Sequence, residues 1–447
     1  MFNSFVTRYW FSSEARSLWS DSSTLQAWLD VEAALASAQA EIGLIPADAA
    51  ATIASKADAK FFDTEALAHE IAFAQHPLVP VLHRFESLCG EPHAGYLHFG
   101  ATTQNIFDTA TALQVRRTHA LLASDLRGAM EALAQLARAH RETPMAGRTH
   151  GQHALPMTLG FKIAGWLEEL GRDLERLDAR LAPSFPACMG GAIGTFAAMG
   201  GQGREVEALV ASKLGLEPAG LPSRASFDRA ADYIGALALL AGTAQKIAGD
   251  VVFLQRTEVG ELSEAFHVGK VGSSTMAQKR NPSTALLLVS LARMLRGRVP
   301  LALEAMVRMD EGDSSATNVT DTLLPELGIL AASVAQTLSR LVRGLVVHPE
   351  AMRRNLAATQ GLINAEAVMM ELTKVMGRHE AHKLLLEAAQ RTHTEGCSFL
   401  ASIMEHPSAA AYPSANRLAE ALDPGTYIGD SVRLTDEAVS RISPRAR

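Results

Sequence analysis

Cysteine is scarce in this chain of 447 residues. Cys89, Cys188 and Cys397 stand far apart, an odd set that matches no metal-ligand spacing and fits buried thiols in a reducing cytoplasm. Aromatic residues are also few, at 6%, while alanine and leucine are plentiful, a bias that suits close-packed helices better than sheets. Basic runs are missing and the formal net charge is -7, so nothing marks a nucleic-acid partner, although small anionic substrates stay open. The first twenty residues carry Arg8, Glu14 and Arg16 without a continuous apolar stretch, which argues against a signal peptide. Elsewhere no apolar run reaches the length expected of a membrane helix. The expectation is a cytoplasmic protein with no membrane partner.

What is present is a 48% apolar content, ample for a large core, with an ordinary 20% of charged residues. Leu25, Trp28, Leu29, Val31, Leu35 and Ile42 recur at helical spacing until Gly43 and Pro46 end the run. Shorter helices follow, broken by Pro77, Pro80, Gly90 and Pro92. Beyond Gly100 the pattern predicts long helices over Asn105 to Arg141, Pro156 to Ala182, Ala225 to Phe266, Ser283 to Arg308 and Val319 to Val347. Such lengths suggest a bundle or an oligomeric core. Leu237-Ala238-Leu239-Leu240 and Leu286-Leu287-Leu288-Val289 are apolar on more than one face, as burial against other subunits would require. From His348 the elements shorten again, interrupted by Gly361, Gly377, Pro407 and Pro413. The fold class predicted is all-α, divided into residues 1–100, 101–347 and 348–447.

Three polar, glycine-bearing segments stand at the ends of the long helices. His98-Phe99-Gly100-Ala101-Thr102-Thr103-Gln104-Asn105 offers hydroxyls and backbone N–H groups at a helix start, either an ordinary cap or a carboxylate site. Gly147-Arg148-Thr149-His150-Gly151-Gln152-His153 carries two histidines three apart, which could bind a metal, donate a proton or simply satisfy a turn. Gly269-Lys270-Val271-Gly272-Ser273-Ser274-Thr275-Met276-Ala277-Gln278-Lys279-Arg280-Asn281-Pro282 could wrap an anion, with Lys279 and Asn281 as donors. A serine there, with N–H groups stabilising its alkoxide, could act as a base; the bland alternative is a surface linker.

The third segment resembles the signature of the fumarase/aspartase superfamily, G-S-S-x-M-P-x-K-x-N, with Ala277 where the family has proline. The first two segments resemble that family's other two active-site regions, in the same order across nearly the whole chain. The resemblance implies a three-domain all-α subunit with a central long-helix bundle, and a homotetramer whose sites each draw on three subunits. It implies no metal and no organic cofactor. Residue by residue, it makes Ser273 the catalytic base and His150 the group that protonates the leaving group or orients a water that does. Thr102, Thr103, Thr149, Ser274, Lys279 and Asn281 would hold the substrate, with Glu311 in support.

Two subgroups are resembled at once. Arg8-Tyr9, His69 and His98 look like substrate-binding residues of adenylosuccinate lyases. Leu25 to Leu35, Gln152 to Pro156 and Ala365 to Val368 look like bacterial 3-carboxy-cis,cis-muconate cycloisomerases. Departures from both patterns decide between them. Thr320-Asp321, ahead of Leu324-Pro325, replaces a glutamate–arginine pair that serves phosphate binding, and Gly312 replaces a second arginine. These changes oppose a nucleotide substrate. His150 stands where the cycloisomerases commonly have tryptophan, and Asn105 where both groups have aspartate. The function implied is β-elimination, by C–N or C–O cleavage, from a small polycarboxylate such as an N-substituted aspartate, giving fumarate or an analogue. Cycloisomerisation, epimerisation of an iminodicarboxylate, adenylosuccinate cleavage and a non-catalytic scaffold are the alternatives.

Overall fold

The structure, a computed structural model, describes residues 2–266, 269, 272–411 and 414–442. Lys270 and Val271 of the third segment, and Pro413, lie outside the described residues. Helices dominate, and the long ones fall where apolar periodicity predicts them. Helix α1 (Asp21–Glu41) starts at Ser20, whose side chain accepts from the Ser23 N–H and so satisfies one free donor of the first turn. It buries Leu25, Leu29, Val31 and Leu35. Helix α2 (Thr103–Ala139) has 37 residues, about 55 Å at 1.5 Å per residue. The other long elements are α3 (Leu159–Ser184), α4 (Asp228–Leu254), α5 (Ser283–Arg296) and α7 (Ser314–Arg343), with the six-residue α6 (Val299–Glu304) between the last two.

Four of these differ from expectation, each for a local reason. The helix expected over Val319 to Val347 runs from Ser314 to Arg343, because Leu345–Val347 is taken up by a strand. The helix expected from Pro156 begins at Leu159, because β1 (Pro144–Thr149) and β2 (Gln152–Thr158) form an antiparallel hairpin ahead of it. The helix expected to run to Phe266 stops at Leu254; Gly260 takes a φ of +62°, and β3 (Leu262–Glu264) then pairs with β4 (Leu345–Val347). The helix expected to reach Arg308 breaks at Gly297, and Pro300 sits in the first turn of α6, where its missing N–H costs nothing. The all-α reading holds with these two short strand pairs added.

The chain divides into two compact units: Met1–Leu126, Arg172–Gln245 and Leu287–Thr337 form one, and Arg127–Gly171, Lys246–Leu286 and Leu338–Arg447 the other. The boundaries fall inside α2, α3, α4, α5 and α7. In the first unit Trp28 packs on Phe107 with ring centroids 4.6 Å apart, and Trp19 Nε1 donates to Thr118 Oγ1. In the second, fully buried Trp166 on α3 donates to Asp250 on α4 at 2.9 Å, and Lys162 pairs with the same carboxylate. That unit also holds a separate cluster near its C-terminal end, built on Val368, Leu372, Leu384, Phe399 and Ile403.

One sequence expectation needs correction. By length and composition α4 is apolar enough to cross a membrane. Within the described residues, however, it buries Leu240, Ile247, Val251 and Leu254 and carries Asp232, Lys246 and Asp250, the pattern of a core helix.

Candidate active site

The first segment lies in the first unit. The chain reverses at His98 and Gly100, with φ of +57° and +73°. His98 Nδ1 lies 2.6 Å from Glu32 Oε1, and Glu32 is buried in α1 with its other oxygen unpartnered among the described residues. Asn105, also buried, accepts from the backbone N–H groups of Thr102 and Gly191, each at 3.1 Å. An aspartate could accept the same two bonds, so asparagine keeps the scaffold while removing a buried charge. The result holds half-buried Thr102 and Thr103 at the start of α2, where free N–H groups and the helix dipole favour an anion. Arg8 and Tyr9 are exposed in a short 3-10 turn, Arg8–Trp10, and His69 is exposed on the helix Thr64–Ala74.

The second segment is the tip of the β1–β2 hairpin, in the second unit. Its two loop residues, His150 and Gly151, have φ of +51° and +78°, the signature of a tight mirror-image turn that matches strand twist. His150 and Thr149 are therefore exposed at the tip. A bulge between Ala146 and Arg148 includes Gly147, where a Cβ would come within 2.8 Å of Leu155 O. The tip is anchored from below by Arg148, one pair short of the turn, which donates to both oxygens of Glu261 at 3.0 and 2.7 Å and lies over the Phe253 ring. Glu261 is completely buried and also accepts from Asn355 Nδ2 at 2.7 Å, so the pair leaves little unsatisfied. His153 lies opposite Arg148; burial, then the Arg148 charge, lowers its pKa and so favours the neutral ring. The metal reading of the two histidines gains no third ligand among the described residues.

The third segment joins β3 to α5 and is tied at both ends. Glu264 accepts from the Ala285 and Thr284 N–H groups at 2.6 and 3.1 Å, capping α5 from outside the helix. Gln255 accepts from the Glu264 N–H and donates to Arg280 O, while Arg280 stacks on Phe266. Inside the loop Asn281 Nδ2 donates to Gly272 O at 2.7 Å, so that amide closes the loop. Ser273 Oγ accepts from the Met276 N–H at 3.1 Å and the Thr275 N–H at 3.4 Å. Two N–H groups aimed at one hydroxyl oxygen favour its negative form. Lys279 and Ser274 are exposed.

The first unit also contains a recess of about 330 Å³, which sequence reasoning does not anticipate. Asp108, Asp321, Arg224 and Arg308 line it. Asp321 is open to solvent at the rim, yet protein surrounds it closely enough that burial, then the Asp108 charge, pushes its carboxyl up to about 6. Burial raises the Asp108 carboxyl too. The expectation that position 312 offers no side chain is true of Gly312 but not of its surroundings. A Cβ there would lie 3.2 Å from the Arg224 guanidinium carbon, so a cation from a distant segment fills that space. Glu311 is exposed in the turn before α7.

The chain matches the family model described as lyase over residues 11–297 and the adenylosuccinate lyase C-terminus over residues 361–438. It is 38% identical to N-acetyl-S-(2-succino)cysteine lyase of Dickeya dadantii over 95% of this chain and 94% of that one. It is equally 38% identical to adenylosuccinate lyase of Pyrococcus abyssi, over 98% and 97% of the two chains. Among solved structures, 3-carboxy-cis,cis-muconate lactonizing enzyme from Pseudomonas putida superposes with a TM-score of 0.92 at 34% identity, covering 100% of both chains.

Proposed function

We propose, on the premise that this chain belongs to the fumarase/aspartase superfamily of lyases, that it eliminates an amine from a small N-substituted aspartate and releases fumarate. The observation that carries the reading is Ser273 Oγ under two backbone N–H groups in a loop with the superfamily signature. Ser273 takes a proton from the carbon beside a carboxylate, and the electron pair moves onto that carboxylate as an enediolate. Donors at Thr102, Thr103, Thr149 and Lys279 bind this doubly charged form better than the ground state, which is the source of rate. The C–N bond then breaks, nitrogen leaves with the bonding pair, and His150 supplies its proton.

The assembly proposed is a homotetramer with sites shared between subunits. Apolar side chains left exposed on the central helices support it: Leu239 at 53%, Leu286 at 47% and Leu303 at 56%. Subunit exchange between Ser273→Ala and His150→Ala tetramers then restores part of the activity; mixed tetramers without any rescue would refute shared sites. The division into residues 1–100, 101–347 and 348–447, and a cytoplasmic location, belong to the same proposal. The main test is fumarate release from a panel of N-substituted aspartates, followed by absorbance. No fumarate from any of them refutes elimination. The likeness to the lactonizing enzyme supports cycloisomerisation as a second reading, marked by lactone formation from a carboxymuconate without fumarate.

A further inference from the structure

The recess in the first unit carries charges of both signs that do not neutralise one another. Asp108 accepts one hydrogen bond, from Gln104 Nε2, and Asp321 accepts none among the described residues. Arg308 donates from Nε to Ala305 O and from Nη1 to Arg224 O, which leaves Nη2 without a partner among the described residues, and it rests on the Phe227 ring, 5.0 Å from its centroid. Arg224 donates to Ala192 O, and its Nε has no partner among the described residues. None of the four closes an ion pair with another among the described residues, although the charges of Arg224 and Arg308 act on Asp108, and that of Arg308 on Asp321. Charges lining one cavity and left unpaired are costly unless a ligand or water completes them. The volume suits a small molecule, at the lower end of the roughly 300–1,000 Å³ usual for ligand pockets.

Position ties the recess to the chemistry. Arg224 donates to Ala192 O at 2.6 Å, and the neighbouring Gly191 N–H donates at 3.1 Å to Asn105, the side chain that also holds the Thr102 backbone. A substrate whose carboxylate sits at Thr102 and Thr103 thus lies one short loop away from the recess.

We propose that this recess is the leaving-group site and that it selects a zwitterionic amino-acid moiety, with Asp108 and Asp321 facing the basic nitrogen and Arg224 and Arg308 facing the carboxylate. The assignment rests on the elimination reading and narrows its substrate to N-succinylated amino acids. A simple amine satisfies only the carboxylates, and a phosphate only the guanidiniums.

The test separates the two readings by measuring binding without turnover. Ligand-observed NMR titration of the Ser273→Ala protein, with saturating fumarate, compares L-alanine with its two halves, ethylamine and propanoate, and with inorganic phosphate. L-alanine is expected to bind at least about tenfold more tightly than any of the others. Adding Asp321→Asn should remove most of that advantage while leaving propanoate unchanged, and Arg308→Lys should weaken L-alanine and propanoate together. Ethylamine, propanoate or phosphate binding as tightly as L-alanine overturns the proposal, as does an Asp321→Asn protein that keeps the full preference. If fumarate is nevertheless released from simple N-alkyl aspartates, the recess assignment alone has failed. If L-alanine binds as stated but no N-succinyl amino acid yields fumarate, the elimination reading has failed and the recess assignment stands.

Discussion

Arginine and carboxylate meet in two places in this molecule, with opposite outcomes. Just below the hairpin tip Arg148 grips fully buried Glu261 through both terminal nitrogens, and Asn355 adds a third donor. In the recess Arg224, Arg308, Asp108 and Asp321 share a cavity without closing a pair. The first set has spent its bonding capacity inside the chain and serves to hold a backbone in place. The second keeps capacity free, and free capacity is what a ligand needs. The same distinction separates Asn281, whose amide closes its own loop, from Lys279, exposed a short way along it.

The sharpest way to break this comparison is to strip the closed pair of one partner. Arg148→Met leaves Glu261 buried without its cation and is expected to cost about 3–5 kcal/mol of stability, the usual penalty for orphaning one member of a buried pair. Chemical denaturation checks it, and a loss below about 1 kcal/mol would show that the anchor is not what holds the hairpin. Next in size is Ser273→Ala, expected to lower turnover by about a hundredfold or more while leaving the melting temperature near that of the parent. Near-normal turnover removes Ser273 from the base role. Third, Asp321→Arg should raise kcat/KM for adenylosuccinate at least about tenfold relative to small N-substituted aspartates, since an unpaired carboxylate facing a phosphate is strongly unfavourable. In the parent enzyme adenylosuccinate is expected to be a poor substrate, and finding it the best one would remove the argument from Asp321.

The smallest effect concerns pH. The Asp321 carboxyl is raised from 3.8 to about 6, so the folded state holds this proton more tightly than the unfolded chain. Its contribution to stability is therefore fully present below about pH 3.8 and is lost as pH rises through about 6. Asp108 across the recess opposes ionisation of Asp321, and Arg308 favours it. Asp321→Asn should thus melt slightly higher than the parent at pH 7.5 and indistinguishably at pH 4. An equal shift at both values would assign the effect to something other than titration.

The sequence discloses the long helices because a 3.6-residue apolar rhythm over 25 or more residues has few other readings. It discloses the three polar segments because their residue types are clustered along the chain. The hairpin is harder to read: its turn is His150-Gly151, not one of the asparagine–glycine pairs that announce such turns, and Pro156 reads as a helix start. The anchors Glu261, Glu264 and Asn355 have no local signal at all, since each acts on partners far away in the chain or across a loop. The recess escapes for the same reason. Asp108, Arg224 and Arg308 are ordinary charged residues on three separate stretches, and only folding makes them neighbours.

The close approach of Arg224 to Gly312 has a consequence for ancestry. A side chain at 312 would begin beside the place where the Arg224 guanidinium now lies, so the two positions compete for one corner of the first unit, and a comparison confined to position 312 misses the cation that Arg224 brings there. Gly312→Arg on its own crowds the Arg224 guanidinium, 3.2 Å from the new Cβ, and forces two like charges together. Removing Arg224 first leaves the space without either. An evolutionary or laboratory path between the two arrangements therefore runs through a handicapped intermediate whichever step comes first, and the double change is tolerated better than the sum of the single ones.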